Sequence, residues 1–373
     1  MGDVDGVDLY SSAVIISSIA IAGVLSSRLS VSSSIVEVAI GVVLANVMAV
    51  KIEQWVDLLA TLGGLLLTFL AGVEVESRIL KSRLKPSMVI GILIFVVPLI
   101  GILLSLTLLT DWSLSTKLAI GLALSDTSIA IVYTILNEYG MMRTELAKTI
   151  IAVTIVTNVL TIVGLSLIEP RFNEITIILF IALALIALFM RRYFGILASS
   201  YGNRVGEIEV RFMLALLLLI SFISDKAGMY SIFGAFALGL LSADTLKRHE
   251  SLLNKMRVIV FMLLAPIFFI RAGMLISINA VLSNITMILV LLTVKTLSKS
   301  SCYILCRRWL SEGAAFSTLL LSTGLTVGMI VASTGRDIGL IDNEQFSVTI
   351  VSIILGAVIP LIIVRRYPPR NIK

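Results

Sequence analysis

Residues 122–140 read LALSDTSIAIVYTILNEYG, and Asp126 places a carboxylate in the middle of a run apolar enough to lie in lipid. A charge at mid-bilayer costs about 2.5–3.5 kcal/mol even on lenient insertion scales, so such residues are rare and usually mark ion or proton pathways. The neighbours Ser125, Thr127 and Ser128 all carry hydroxyls. This run is therefore expected to be a membrane helix broken near Asp126–Ser128. A second run, EGAAFSTLLLSTGLTVGMIVAS at 312–333, carries STGLT at its centre, with Thr323, Gly324 and Thr326 as its helix-break residues. Small and polar residues also serve close packing in membrane helices. A matched pair of interruptions, however, points to a transporter built from inverted repeats, with its substrate site where the broken helices cross. Freed backbone groups at such breaks are tolerated only against a cavity or buried partners.

The rest of the chain sets these two runs in a polytopic membrane protein. Of 373 residues, 58% are hydrophobic and 14% charged, and the mean hydropathy is +1.08, whereas a soluble domain is nearer half apolar and a quarter charged. Hydrophobic runs of membrane length fall near 10–27, 33–51, 55–73, 87–110, 115–136, 146–168, 174–190, 209–223, 228–243, 255–273, 277–306, 312–334 and 345–366. The fold class expected is an all-α polytopic membrane protein with about 13 transmembrane helices. Alternating the loops assigns 21 Lys and Arg residues to one side and 6 to the other. The positive-inside rule then puts the N-terminus outside and the C-terminus in the cytoplasm. Six spans begin the chain, the run at 174–190 joins, and six end it. The odd joining helix makes the two sets inverted six-helix repeats, with the fifth and twelfth spans as crossed broken helices. The connection at 191–208 is the longest and separates the halves. The acidic start MGDVDGVDLY lacks the basic region of a cleavable signal peptide, so none is expected, and the short stretch after the last span leads to the expectation of no regulatory nucleotide-binding domain.

Other function classes find little support. The formal charge of +6 fits basic cytoplasmic loops, and no aromatic–basic interleaving suggests nucleic acid. No nucleophile–base–orienter set, metal-ligand cluster or phosphate-binding loop is visible, so neither an enzyme nor a cofactor is expected. Cys302 and Cys306 lie one helical turn apart in an apolar run, and His249 lies in the charged stretch DTLKRHESLLNK. The remaining intramembrane charges are Lys295, Lys299 in VLLTVKTLSKSSCYILC, and Glu37 near the start of the second span. Lys299 shares a helix face with Lys295. The sixth span, TIIAVTIVTNVLTIVGLSL, centres Thr154, Thr157, Asn158 and Thr161. Asn158 has a carbonyl oxygen suited to a hard cation, or an amide suited to bonding across helices.

The stretches IVEVAIGVVLANV, LGGLLLTFLAGVEVE, LALSDTSIAIVYTILNEYGMMRTELAKTII, FGAFALGLL, LLAPIFFIRAGM and VKTLSK together give a chain that resembles the monovalent cation/proton antiporters over nearly its whole length. The resemblance implies a thirteen-span inverted-repeat fold, a homodimer in the cell membrane, and an elevator-like movement of a core part (87–168 and 277–366) against a dimerisation part (10–73 and 209–273), with 174–190 as linker. It implies exchange of protons for a monovalent cation, sodium first among them. The ion-coupling residues expected are Asp126, Asn158, Thr157, Ser125, Thr127 and Lys295, with Na+ at Asp126 and Asn158. The chain departs from the family at one point. The sixth span usually carries Asp-Asp or Asn-Asp, and here the pair reads Thr157-Asn158. Either the coupling carboxylate sits one helix over, at Asp126, or it is missing, by natural loss or by an engineered change. A transport-inactive variant or sensor, or an organic-solute or anion carrier drawn to Lys295, remains the alternative.

Overall fold

The computed structural model describes residues 9–29, 31–75, 84–170, 172–192, 207–310 and 313–366. Residues 1–8, most of the connection at 191–208, the tail beyond 366, and Arg78, Lys81, Arg83, Arg171, Arg204, Arg370 and Lys373 lie outside the described residues. In chain order the helices are α1 (Leu9–Leu29), α2 (Ser33–Asn46), α3 (Gln54–Val73), α4 (Leu84–Leu109), α5 (Leu114–Ser125), α6 (Ile129–Glu138), α7 (Glu145–Ser166), α8 (Glu174–Arg192), α9 (Ile208–Lys226) and α10 (Ser231–Arg248). They continue with α11 (Glu250–Ile259), α12 (Ala265–Met274), α13 (Ile278–Ser283), α14 (Ile285–Leu310), α15 (Ala314–Leu320), α16 (Thr326–Asp337) and α17 (Asn343–Arg366). The protein is all-helical and multi-pass. Among the described residues, eight helical stretches are long and apolar enough to cross a membrane unaided. Shorter apolar helices, among them α2 and α8, and the broken pair α15–α16 supply further passes.

Three of the expected spans are interrupted, two where a break was expected and one, the tenth, where a continuous helix was. The run at 115–136 divides into α5 and α6, and the run at 312–334 into α15 and α16, each at its polar cluster. The run at 255–273 divides into α11 and α12 with a π-helical turn over Val260–Leu264. Pro266 stands at the start of α12; it has no N–H to continue the ladder, and a single widened turn accommodates it.

By internal packing the chain forms two compact units, one of residues 1–74 and 170–278 and the other of 75–169 and 279–373. Each draws passes from both halves of the chain, and α8 belongs to the first. Two helix contacts in that first unit are built alike. Where α2 meets α12, a Cβ on Gly41 would lie 2.1 Å from the carbonyl oxygen of Ile270, and one on Gly273 2.1 Å from that of Val38. Where α3 meets α10, a Cβ on Gly72 would lie 2.4 Å from the carbonyl of Phe236, and one on Gly239 2.1 Å from that of Phe69. Each contact pairs one glycine from the first half of the chain with one from the second. Glycine pairs let membrane helices close to backbone contact, where packing replaces the missing hydrophobic drive. Under a two-fold internal repeat the second and ninth spans are equivalent, as are the third and tenth, so one contact maps onto the other. This is the pairing that an internal two-fold repeat predicts.

In the second unit, α4, α5, α7, α14, α16 and α17 pack around the two interruptions. Ser113 starts α5, its hydroxyl accepting from the Thr116 N–H at 3.1 Å, and Thr144 starts α7 by accepting from Ala147 at 3.1 Å. Both are ordinary side-chain caps for otherwise stranded N–H groups. They fix where the helices begin and hence which residues reach the centre.

Candidate functional site

The α5–α6 and α15–α16 breaks meet backbone to backbone. The N–H of Ser128 donates to the carbonyl of Thr323 at 2.7 Å, and the Thr127 hydroxyl donates to the carbonyl of Leu321 at 2.8 Å. Gly324 makes this approach feasible, since a Cβ there would lie 2.3 Å from the Asp126 carbonyl oxygen. Gly328 does the same one turn on, 2.4 Å from the carbonyl of Ala123. Two half-helices end here and two begin, so carbonyl and N–H groups that normally pair within a helix need other partners.

Charged side chains supply them. Asp126 is fully buried. Its Oδ2 accepts from the Gly328 N–H in the first turn of α16 at 2.9 Å, where the helix dipole favours negative charge. Its Oδ1 accepts from the Asn158 amide nitrogen on α7 at 2.9 Å. The same nitrogen reaches the carbonyls of Thr127 at 2.8 Å and Thr154 at 3.3 Å, and these acceptors fix the amide's orientation. At the opposite dipole ends lies Lys299, also fully buried. Its ammonium donates to the carbonyls of Asp126 at 2.5 Å and Leu321 at 3.0 Å, and to the Thr127 hydroxyl at 3.3 Å. The carbonyls freed at the ends of α5 and α15 thus share one cation.

The other expected residues gather nearby with their donors turned inward. Ser125 donates to the carbonyl of Gly121 at 2.7 Å, Thr157 to that of Thr154 at 2.8 Å, and Thr323 to that of Leu320 at 2.6 Å. A hydroxyl that donates to its own helix keeps lone pairs for a cation. Ser128 is buried, but its hydroxyl finds no hydrogen-bond partner, and Thr326 opens α16 at partial exposure.

Two details refine the reading of the residues. Lys295 is 1% exposed, so it faces the interior, yet its Nζ finds no hydrogen-bond partner. The lysine that touches the crossing is Lys299, one turn further along α14. Spacing alone put both on one face; only the depth of the crossing separates them. Asn158, read as either an oxygen for a cation or an amide bonding across helices, takes the second arrangement here and turns its nitrogen to the carboxylate, because Asp126, Thr127 and Thr154 present only acceptors. The carbonyls of Leu321 and Asp126 and the N–H of Gly328 are the partners that side-chain reasoning missed, since every residue has such groups and only the break frees them. Among the described residues no cluster of His, Cys, Asp and Glu suits a resident metal.

Comparison with known proteins agrees with this architecture. The family described as "Sodium/hydrogen exchanger, transmembrane" matches residues 14–365. A probable Na(+)/H(+) antiporter 3 of Methanocaldococcus jannaschii is 28% identical over 338 residues, covering 84% of each chain. The Na(+)/H(+)-K(+) antiporter GerN of Bacillus cereus is 25% identical over 366 residues, covering 94% of this chain and 93% of its own. The solved structure of the sodium proton antiporter MjNhaP1 from M. jannaschii superposes with a TM-score of 0.71 at 16% identity, over 96% of this chain and 95% of that one, and so shares the fold.

Proposed function

The chain belongs to the sodium/hydrogen exchanger family, a family of membrane transporters rather than enzymes, and on that premise we propose that it exchanges protons for a monovalent cation, sodium, across the cell membrane. Asp126 is the coupling group. One observation carries this: a fully buried carboxylate lies where both broken helices meet, held by a backbone N–H and an amide N–H rather than locked to an ammonium through its own oxygens. A carboxylate can hold a proton or a cation, and competition between them couples opposed movements, provided only the loaded site crosses. The hydroxyls of Ser125, Thr127 and Thr157 are its candidate oxygen ligands. Loading a cation displaces the Asn158 nitrogen from Oδ1, and the turned amide then offers its own oxygen. The unit that holds the crossing makes the elevator-like movement, and the other unit forms the homodimer. The N-terminus lies outside and the C-terminus in the cytoplasm, as the basic-residue asymmetry requires.

A second reading draws on the same contacts. Asp126 caps α16, and Asn158 stands where the family carries a sixth-span aspartate, so the carboxylate here serves as a structural neutraliser in a transport-inactive chain. Sodium- and pH-dependent flux in proteoliposomes decides between the two. Asp126→Asn should abolish exchange while leaving a folded protein, and Asn158→Asp should alter the pH profile by adding a second carboxyl. An Asp126→Asn protein that exchanges like the parent ends the first reading. An inert parent rescued by Asn158→Asp establishes the second.

A further inference from the structure

We propose that Gly356 on α17 is a positioning residue for this exchange: its bare Cα seats the ammonium of Lys295 and holds it where no protein acceptor reaches. The proposal rests on the exchange reading above. Lys295 is 1% exposed, and its Nζ has no hydrogen-bond partner. A Cβ built on Gly356 would lie 2.7 Å from that Nζ, 3.0 Å from Cδ and 3.1 Å from Cε of the same side chain.

What sets this site apart is the charge on its neighbour: Gly164 likewise meets one side chain, the apolar end of Leu122, whereas Gly356 meets an ammonium. Gly41, Gly72, Gly239, Gly273 and Gly324 each meet the backbone of a crossing helix. At Gly356 all three nearest atoms belong to the far end of Lys295. The space that a side chain at 356 would fill is therefore occupied by the lysine tip. Because consecutive atoms of the tip are involved, a methyl group there displaces the whole end rather than turning the last bond.

The position of this ammonium bears on coupling because no acceptor is hydrogen-bonded to it. Asp126 at the crossing and Lys299 one turn along are the charges that act on it. The helices packed on α14 otherwise carry charge only near their ends: Lys85 on α4, and Glu344, Arg365 and Arg366 on α17; α15 has none. Cys302 and Cys306 lie further along α14 itself. In a medium of low dielectric a small displacement of Lys295 changes the field at Asp126 substantially, and with it the pH at which protons and cations exchange.

The test is a double-mutant cycle between Gly356→Ala and Lys295→Ala in the full-length protein, with exchange measured across pH in proteoliposomes. Gly356→Ala should shift the half-maximal pH by more than about half a unit, and the doubly substituted protein should match Lys295→Ala alone. No shift, or the same shift in both backgrounds, overturns the proposal and makes Gly356 a packing residue. Melting temperature against pH in detergent supplies a reading independent of transport. There Gly356→Ala should change the profile only while Lys295 is present, and equal losses in both backgrounds overturn the seat. A parent without exchange defeats the function proposed above, while the melting cycle still decides whether Gly356 seats Lys295.

Discussion

A buried ammonium needs acceptors, and two lysines one turn apart on α14 meet that need in opposite ways. Lys299 serves the carbonyls of Asp126 and Leu321 and the Thr127 hydroxyl, whereas Lys295 serves none. Lys299→Met should strand the buried Asp126 carbonyl at a cost of about 1–3 kcal/mol, while the Leu321 carbonyl keeps its bond from the Thr127 hydroxyl. Lys295→Met replaces a buried charge that has no hydrogen-bonded partner by an apolar chain of similar length, and its stability should equal or exceed that of the parent. Thermal unfolding in detergent checks the pair; a Lys295→Met protein that melts as low as Lys299→Met contradicts this division. The sequence singled out Lys295 as interior because its flanks are apolar, and brought in Lys299, which stands between Ser298 and Ser300, as its neighbour on the same helix face. It favoured Lys295 as the partner of the polar group, because depth along a helix is read from hydropathy and the height of the crossing is not. Asn158 was legible as a polar residue at the centre of its span, but which end of its amide faces Asp126 depends on two backbone carbonyls that no side-chain pattern reveals.

Half-helices impose requirements that whole helices do not. The clusters SDTS and STGLT mark both breaks in the sequence, since hydroxyl and glycine residues tolerate an unwound backbone. What those clusters do not disclose is how close the two breaks come. Gly324 sets that distance, and Gly324→Ala would push a methyl group against the Asp126 carbonyl, itself fixed by Lys299. Neither backbone can withdraw without losing the Ser128–Thr323 bond. A loss of about 1–3 kcal/mol or more is expected, as for overpacked sites generally, with a lower folded yield. Gly335, further along α16, is the control: a Cβ there meets nothing nearer than 3.6 Å, and alanine favours a helix over glycine by about 0.5–1 kcal/mol. Gly335→Ala should therefore melt at or above the parent temperature. If both substitutions prove equally harmless, the close approach at Gly324 is not a constraint. The π-helical turn before α12 was less legible, because Pro266 at the start of a helix also suits a continuous span with a modest bend.

For the chain as a whole, the arrangement of passes depends on each broken pair crossing the membrane rather than turning back. A re-entrant loop would also carry polar residues at its tip, so the SDTS cluster alone does not decide this. Length argues for crossing: α5 has 12 residues and α6 has 10, which at 1.5 Å per residue rise about 33 Å together, close to the thickness of the hydrocarbon layer. Neither half spans it alone. Placed end to end, they put Asp111 outside and Arg143 in the cytoplasm, on the orientation proposed from the basic residues. Single cysteines can test this against a quiet background, since Cys302 and Cys306 are buried. Asp111, Arg143, Glu174 and Glu250 are all exposed and lie in or beside the connections at issue. In intact cells a membrane-impermeant maleimide should label Asp111→Cys and Glu174→Cys, and should reach Arg143→Cys and Glu250→Cys only after permeabilisation. Labelling of Asp111→Cys and Arg143→Cys from the same side would make α5–α6 re-entrant. It would also reverse one half of the chain relative to the basic-residue count and remove the inverted relation between the two repeats.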